Sequence, residues 1–202
     1  MMDTSDEWIR QRSGIRTRHW VSDGETGASL ARAATLKALA RASLQPSDLD
    51  CIVYCTCTPR PLRARQRRVP GLAHDPYISE ELIREGRHRA VMDGRDVFKF
   101  ASILMPQSVV AALQANCLTP ADVTLLVPHQ ANQRIMEMVQ KAIGLRDDQV
   151  YVNIEKYGNT TAASIPIALD EALCDGRLER GDLLILTAFG SGFTWASAAV
   201  RW

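Results

Sequence analysis

The 202-residue chain lacks most of the features that announce a special environment. No uninterrupted apolar run approaches the roughly 20 residues of a membrane span, so no membrane partner is expected. The first ten residues, MMDTSDEWIR, are acidic and lack the apolar stretch of a secretory signal. Lysine and arginine number 24 against 23 aspartate and glutamate, a formal net charge of +1. So balanced a chain has no general attraction for nucleic acid or anionic lipid. Cysteine occurs five times, at positions 51, 55, 57, 117 and 174, an odd number with no disulfide-framework spacing. A reduced, cytoplasmic setting is the expectation. Histidine is scarce too, with four in the chain.

What is present is the composition of a soluble globular protein, 46% hydrophobic and 23% charged. The length suits one large or two small domains. Residues 26–44 are Ala/Leu-rich and predict a helix. CIVYCTCT (51–58) is a short β-branched run that reads as a buried strand. Helices are expected over 103–118, 130–143 and 161–176, the last two stopped by Gly144 and Gly176. Strands are expected over 123–128, 149–154, 182–190 and 193–202. In the 130–143 helix, Ile135, Val139 and Ile143 stand four apart on one face. Strands alternating with helices of this length indicate a layered α/β domain.

One segment breaks the alternation. TPRPLRARQRRVPG (58–71) places five arginines among residues 60–68, with neither helix nor strand period. It reads as a phosphate or nucleic-acid patch, as a solvated loop, or as a stretch foreign to the fold. No aromatic residues interleave the arginines, so stacking support for nucleic acid is missing. The interruption of a regular pattern on both sides favours the foreign stretch.

His129 follows Pro128 at the end of a predicted strand, with QAN leading into the next helix. Such strand-to-helix junctions project from the carboxyl edge of an α/β sheet, where these folds build sites. A helix N-terminus there would disfavour imidazolium and keep the ring neutral. The plainer reading is a histidine satisfied by local backbone. Asn159, in KYGNTTAAS (156–164), stands at a second strand-to-helix junction. It can cap the helix, as can Thr160 or Thr161. Alternatively its amide and the His129 ring converge on one oxygen and stabilise developing negative charge. The Gly-rich turn AFGSGF (188–193) adds backbone N–H groups near the same edge.

VPHQANQRI, KYGNTTAAS and AFGSGFTWASAAVRW resemble the C-terminal motifs of the ketoacyl-acyl carrier protein synthase III family, within the thiolase-like condensing superfamily. DTSDEWIRQRSGIRTRHW (3–20) resembles that family's N-terminal signature, and GRDVFKFA and ALDEALCDGRLERGD also match. The resemblance implies a thiolase-like layered αβαβα fold. It implies decarboxylative Claisen condensation of an acyl-CoA primer with malonyl-acyl carrier protein, initiating fatty-acid or polyketide-type synthesis. Acyl-CoA and malonyl-acyl carrier protein would be substrates, with no covalently bound cofactor and no metal. The partners would be the acyl carrier protein and, as in the intact family, a second copy in a homodimer. By motif position, His129 and Asn159 would stabilise the enolate. The backbone N–H of Ser191 would serve the acyl oxyanion hole. Trp8, Arg12 and Arg134 would bind coenzyme A and the carrier protein, the guanidinium suiting phosphate and the indole suiting adenine.

The resemblance also implies a gap. The family's nucleophilic cysteine opens a buried central helix in a small-residue segment, and no such segment exists here. Each cysteine present reads by default as a small buried or half-buried apolar residue. The expected organisation is therefore a fragment of the N-terminal half (1–58), an atypical arginine-rich junction (59–69), and a C-terminal half lacking its first strand (70–202). A catalytically dead remnant, or a module that only binds carrier protein, is the competing reading.

Overall fold

The computed structural model describes residues 4–52, 80, 84, 93–190 and 193–202. Contacts divide the chain into two units, one of Trp20–Ala90 and one of Met1–His19 with Val91–Trp202. In the first unit, α2 (Gly27–Ala42) opens on a reciprocal cap. Thr26 Oγ1 accepts from Ser29 N–H at 3.2 Å, and Ser29 Oγ accepts from Thr26 N–H at 2.9 Å. Its Ala/Leu sequence makes the helix, as expected from residues 26–44. The predicted strand 51–58 shows no strand at Cys51 or Ile52, and its remainder lies outside the described residues, as do Arg60–Arg68.

The second unit is built on a three-stranded mixed sheet in the order β1 (Leu125–Pro128), β2 (Leu183–Gly190), β3 (Thr194–Arg201). β1 and β2 are parallel, with Leu126 opposite Ile185, and β2 and β3 are antiparallel. All four β1 residues are buried, because the strand is covered on both faces. Leu126 and Ile185 join the core under α3 (Gly94–Ala115) and α4 (Gln133–Ile143). Leu125, Val127 and Leu184 face the opposite way, toward Ala168 and Ala172 of α6 (Ser164–Cys174). Helices on both faces of the sheet make this a layered α/β unit. Each buried aliphatic side chain contributes about 1.5–3 kcal/mol.

By length and mean hydropathy of 1.3, α3 would suffice to cross a membrane, which no run in the sequence had suggested. Its buried positions Ala101, Met105, Val109 and Leu113 instead form a stripe at four-residue spacing in the core. It also starts nine residues before the predicted 103, because Asp93 caps it, accepting from Arg95 N–H at 2.9 Å and Asp96 N–H at 3.2 Å. The helix-ending roles of Gly144 and Gly176 hold, at φ +79° and +67°.

Three local expectations change. The strand predicted for 149–154 reduces to one bridge, Val150 to Leu126, followed by a short helix, α5 (Ile154–Tyr157). The reason is Gln130, whose side chain occupies the hydrogen-bonding groups a further strand residue would need. Its Nε2 donates to Tyr151 O at 3.2 Å and its Oε1 accepts from Asn153 N–H at 3.0 Å. The helix predicted from 130 starts at Gln133, since Asn132 is the cap and its Oδ1 accepts from Arg134 N–H at 2.9 Å. The helix predicted from 161 starts at Ser164, after a tight 3₁₀ turn over Thr161–Ala163.

Candidate active site

His129 sits at the carboxyl end of β1. Its backbone N–H donates to Thr187 O at 2.8 Å, carrying the β1–β2 ladder one residue past Pro128. The ring is half-buried, and burial holds the imidazole below the ordinary histidine range. The ring is thus neutral near neutral pH, as expected, but for a different reason. α4, the helix the sequence pointed to, begins four residues later, and burial is what lowers the ring. Nδ1 lies 2.6 Å from Ser164 Oγ, the first residue of α6. Among the described residues, Nε2 has no hydrogen-bond partner.

The loop bearing His129 is fixed by Gln130, which is 1% exposed. Its amide hydrogens go to Pro128 O at 2.8 Å and Tyr151 O at 3.2 Å, and its oxygen takes Asn153 N–H. One amide thereby answers two carbonyls and one N–H, a pattern no apolar or charged side chain reproduces. The Gln130 backbone N–H donates to Ser164 Oγ at 3.2 Å.

Asn159 is exposed and lies five residues before Ser164 on the same segment. Its Oδ1 accepts from Thr161 N–H at 2.9 Å. The expected helix cap is not formed, since Ala163 stands at the start of α6 and Thr160 at the start of the 3₁₀ turn; Asn159 closes a local turn with its oxygen, while Nδ2 is the donating end. The loop around it is strained. Gly158 has φ +70° and ψ −163°, a region essentially confined to glycine. Thr161, β-branched, has φ +52°. Thr160 Oγ1 is buried without a hydrogen-bond partner among the described residues.

Two clamps hold this strained loop. Glu171 of α6 accepts from Asn153 Nδ2 at 2.8 Å, Tyr157 Oη at 2.8 Å and Lys156 Nζ at 3.3 Å. Burial works to raise the Glu171 carboxyl, but these three donors outweigh it and hold it below the usual carboxylate range. The second clamp is the N-terminal segment. Arg16 and Thr17 N–H donate to Glu155 O at 3.1 and 3.0 Å, and His19 Nε2 donates to Lys156 O at 3.0 Å. Thr17 Oγ1 also donates to Lys156 O. A Cβ at Gly158 would come within 3.4 Å of Ile15 Cγ2 and 3.6 Å of Thr17 O. The stretch IRTRH (15–19) therefore buttresses the turn that leads to Asn159.

α1 (Asp6–Ser13) packs on α4 through Gly14, whose φ of +82° ends the helix. Any Cβ there would lie 2.8 Å from Gln133 Cβ. This docking places Trp8 and Arg12 on a helix that packs against the helix of Arg134. The Arg12 guanidinium lies 5.8 Å from the Trp8 ring centre, and that of Arg134 lies 5.4 Å from the Phe98 ring. Trp8 is half exposed and Arg134 is exposed. Ser191 lies outside the described residues.

Cys51, Cys117 and Cys174 are exposed rather than buried or half-buried as expected, Cys117 lying in the turn after α3 and Cys174 at the end of α6. Cys174 ends the helix that Ser164 begins, about 15 Å away along its axis. Among the described residues no group of three His, Cys, Asp or Glu side chains could hold a metal ion. An open depression of about 420 Å³, lined by Gln133, Met136, Gln140, Tyr151 and Arg177 among others, includes neither His129 nor Asn159.

The family described as 3-oxoacyl-[acyl-carrier-protein (ACP)] synthase III C terminal matches residues 113–202, which hold His129, Asn159 and Ser164. β-Ketoacyl-[acyl-carrier-protein] synthase III of Rhodospirillum centenum is 32% identical, the match covering 100% of this chain and 92% of the relative. The chain belongs to the β-ketoacyl-[acyl-carrier-protein] synthase III family. The Sinorhizobium medicae member is 34% identical, again over 100% of this chain and 92% of its own length. The synthase III structure from Aquifex aeolicus superimposes with a TM-score of 0.79 at 29% identity, covering 99% of this chain and 92% of that one. This family membership makes the fold thiolase-like and the protein an acyltransferase-type condensing enzyme. The Rhodospirillum alignment runs over 297 positions against the 202 residues of this chain, so long interior stretches of that synthase have no counterpart here.

Four features went unread in the sequence: Ser164, Gln130, Glu171 and the clamp at 15–19. Ser164 carried a signal, as a hydroxyl residue of the sort that opens helices, but Thr161 offered the same signal three residues earlier.

Proposed function

We propose that this protein performs the decarboxylative condensation that initiates fatty-acid synthesis, joining an acyl-CoA primer to malonyl-acyl carrier protein. No bound cofactor is required, and the setting is cytoplasmic. The observation that carries the reading is a neutral, half-buried His129 at the end of a parallel strand, its Nε2 unengaged among the described residues, with its Nδ1 against Ser164 of the segment that carries Asn159. When the malonyl carboxylate leaves as carbon dioxide, the electron pair of the broken C–C bond moves onto the thioester as an enolate. Nε2–H of His129 and Nδ2–H of Asn159 donate to that enolate oxygen. Two neutral donors suit it because they favour the negative charge without protonating the carbon that must attack. The enolate carbon then adds to the acyl thioester carbonyl and the sulfur leaves.

The acyl-accepting thiol is a separate requirement. Cys51, Cys117 and Cys174 are exposed, whereas the family's nucleophile opens a buried helix. The described residues thus support the enolate-forming half of the reaction, with the Ser191 amide proposed for the acyl oxyanion. Trp8, Arg12 and Arg134 are proposed to grip the phosphorylated arm of coenzyme A and the carrier protein.

The test is release of carbon dioxide from malonyl-CoA by the full chain. His129→Ala and Asn159→Ala should each lower the rate by about 10²-fold, the usual cost of one oxyanion donor. A wild-type rate equal to that of the double variant would refute the proposal.

A further inference from the structure

We infer that Ser164 is a positioning residue that fixes the His129 imidazole as its Nε2–H tautomer. The argument is a count of hydrogens. Ser164 Oγ is 2% exposed and has one hydrogen to give and two lone pairs to receive. The Gln130 backbone N–H, which can only donate, takes one lone pair at 3.2 Å. His129 Nδ1 stands 2.6 Å from the same oxygen.

If Nδ1 carried the proton, Ser164 Oγ would receive two N–H donors, and its own hydrogen would need a third partner. Among the described residues Ser164 Oγ meets no such acceptor, and a buried hydroxyl hydrogen left unpaired is costly. If Nδ1 is bare, the hydroxyl hydrogen goes to it and the Gln130 N–H goes to the oxygen. Both hydrogens at Ser164 Oγ, its own and that of the Gln130 N–H, then have partners, and it is the buried hydroxyl that no longer stands unpaired. The ring proton is left on Nε2, the one ring atom without a partner among the described residues.

The backbone geometry supports this arrangement from three sides. His129 N–H is held by Thr187 O, Gln130 is held by its three-way amide, and Ser164 begins α6 after the strained turn. The serine is 35 residues from the histidine in sequence, so the contact is made by the fold and not by a local turn. The consequence for chemistry rests on the role proposed above for His129: only the Nε2–H form can donate to an enolate from that atom.

The experiment is long-range proton–nitrogen NMR of the full chain labelled with ¹⁵N-histidine, at about pH 8, where the ring is neutral. The His129 signals are identified by their loss in His129→Gln. The expected wild-type result is a protonated Nε2 and a bare Nδ1. A protonated Nδ1 overturns the inference, and this measurement stands whether or not any variant folds. In Ser164→Ala, both tautomers should appear. Its kcat for malonyl-CoA decarboxylation should fall roughly tenfold with KM unchanged, as one neutral hydrogen bond is lost. A folded Ser164→Ala that keeps a single Nε2–H tautomer and full kcat also overturns it. Should the wild type release no carbon dioxide, the proposed function fails, while the wild-type spectrum still decides the tautomer.

Discussion

Replacing Gln130 with leucine keeps the volume of the side chain nearly constant and removes one amide that serves three backbone groups. The structure sets the cost. Pro128 O, Tyr151 O and Asn153 N–H each lose their recorded side-chain partner, at a position that is 1% exposed. A buried polar group without a partner costs about 1–3 kcal/mol. The two carbonyls can turn toward water more readily than the N–H, and leucine adds apolar burial, so the low half of the range applies. The expected loss is about 3–5 kcal/mol, a large share of the roughly 5–15 kcal/mol that holds an ordinary domain. Urea unfolding followed by far-UV circular dichroism measures it, as a lower midpoint at constant m. Because the same amide anchors the residue next to His129, the decarboxylation rate of the surviving folded fraction should also fall. A Gln130→Leu protein within about 1 kcal/mol of wild type would show that the buried amide is not what holds this junction.

Two further outcomes follow from the clamps on the Asn159 loop. Gly158→Ala places a Cβ against Ile15 and Thr17 at a backbone conformation alien to alanine. It should cost about 1–3 kcal/mol in thermal unfolding, whereas Gly176→Ala, with open space around it, should cost less. Glu171 is held below its ordinary pKa in the folded state, so its contribution is fully present above the unfolded value and disappears as pH falls through the folded one. Stability of the wild type should therefore decline below about pH 4.3 with a slope that Glu171→Gln reduces. An identical slope in the two proteins contradicts the three-donor account of Glu171.

Much of the architecture was legible because its causes are local. Apolar runs of six to ten residues between turn signals marked β1, β2 and β3, and Gly144 and Gly176 marked helix ends, since each needs only its own backbone conformation. His129 and Asn159 were legible as motif residues at junctions between elements. Misread segments have non-local causes. The 149–154 stretch has strand propensity, but whether it pairs depends on a glutamine some twenty residues earlier taking its hydrogen bonds. α6 starts at Ser164 rather than Thr161 because Thr161 is turned to φ +52° inside a loop clamped by Glu171 and by residues 15–19.

By itself, then, the sequence marked β1, β2 and β3, the helices between them, the family, and the two residues proposed for the enolate site. Propensity, capping and hydrophobic period act within a few residues, so a linear reading reaches them. Only the tertiary structure decided that His129 is neutral through burial, that Ser164 is its partner, and that the N-terminal segment braces the Asn159 loop. Those facts depend on contacts across 35 to 139 residues, made when the sheet closes between its helix layers. The hydrogen bonds there form only once these groups are brought together and water is excluded.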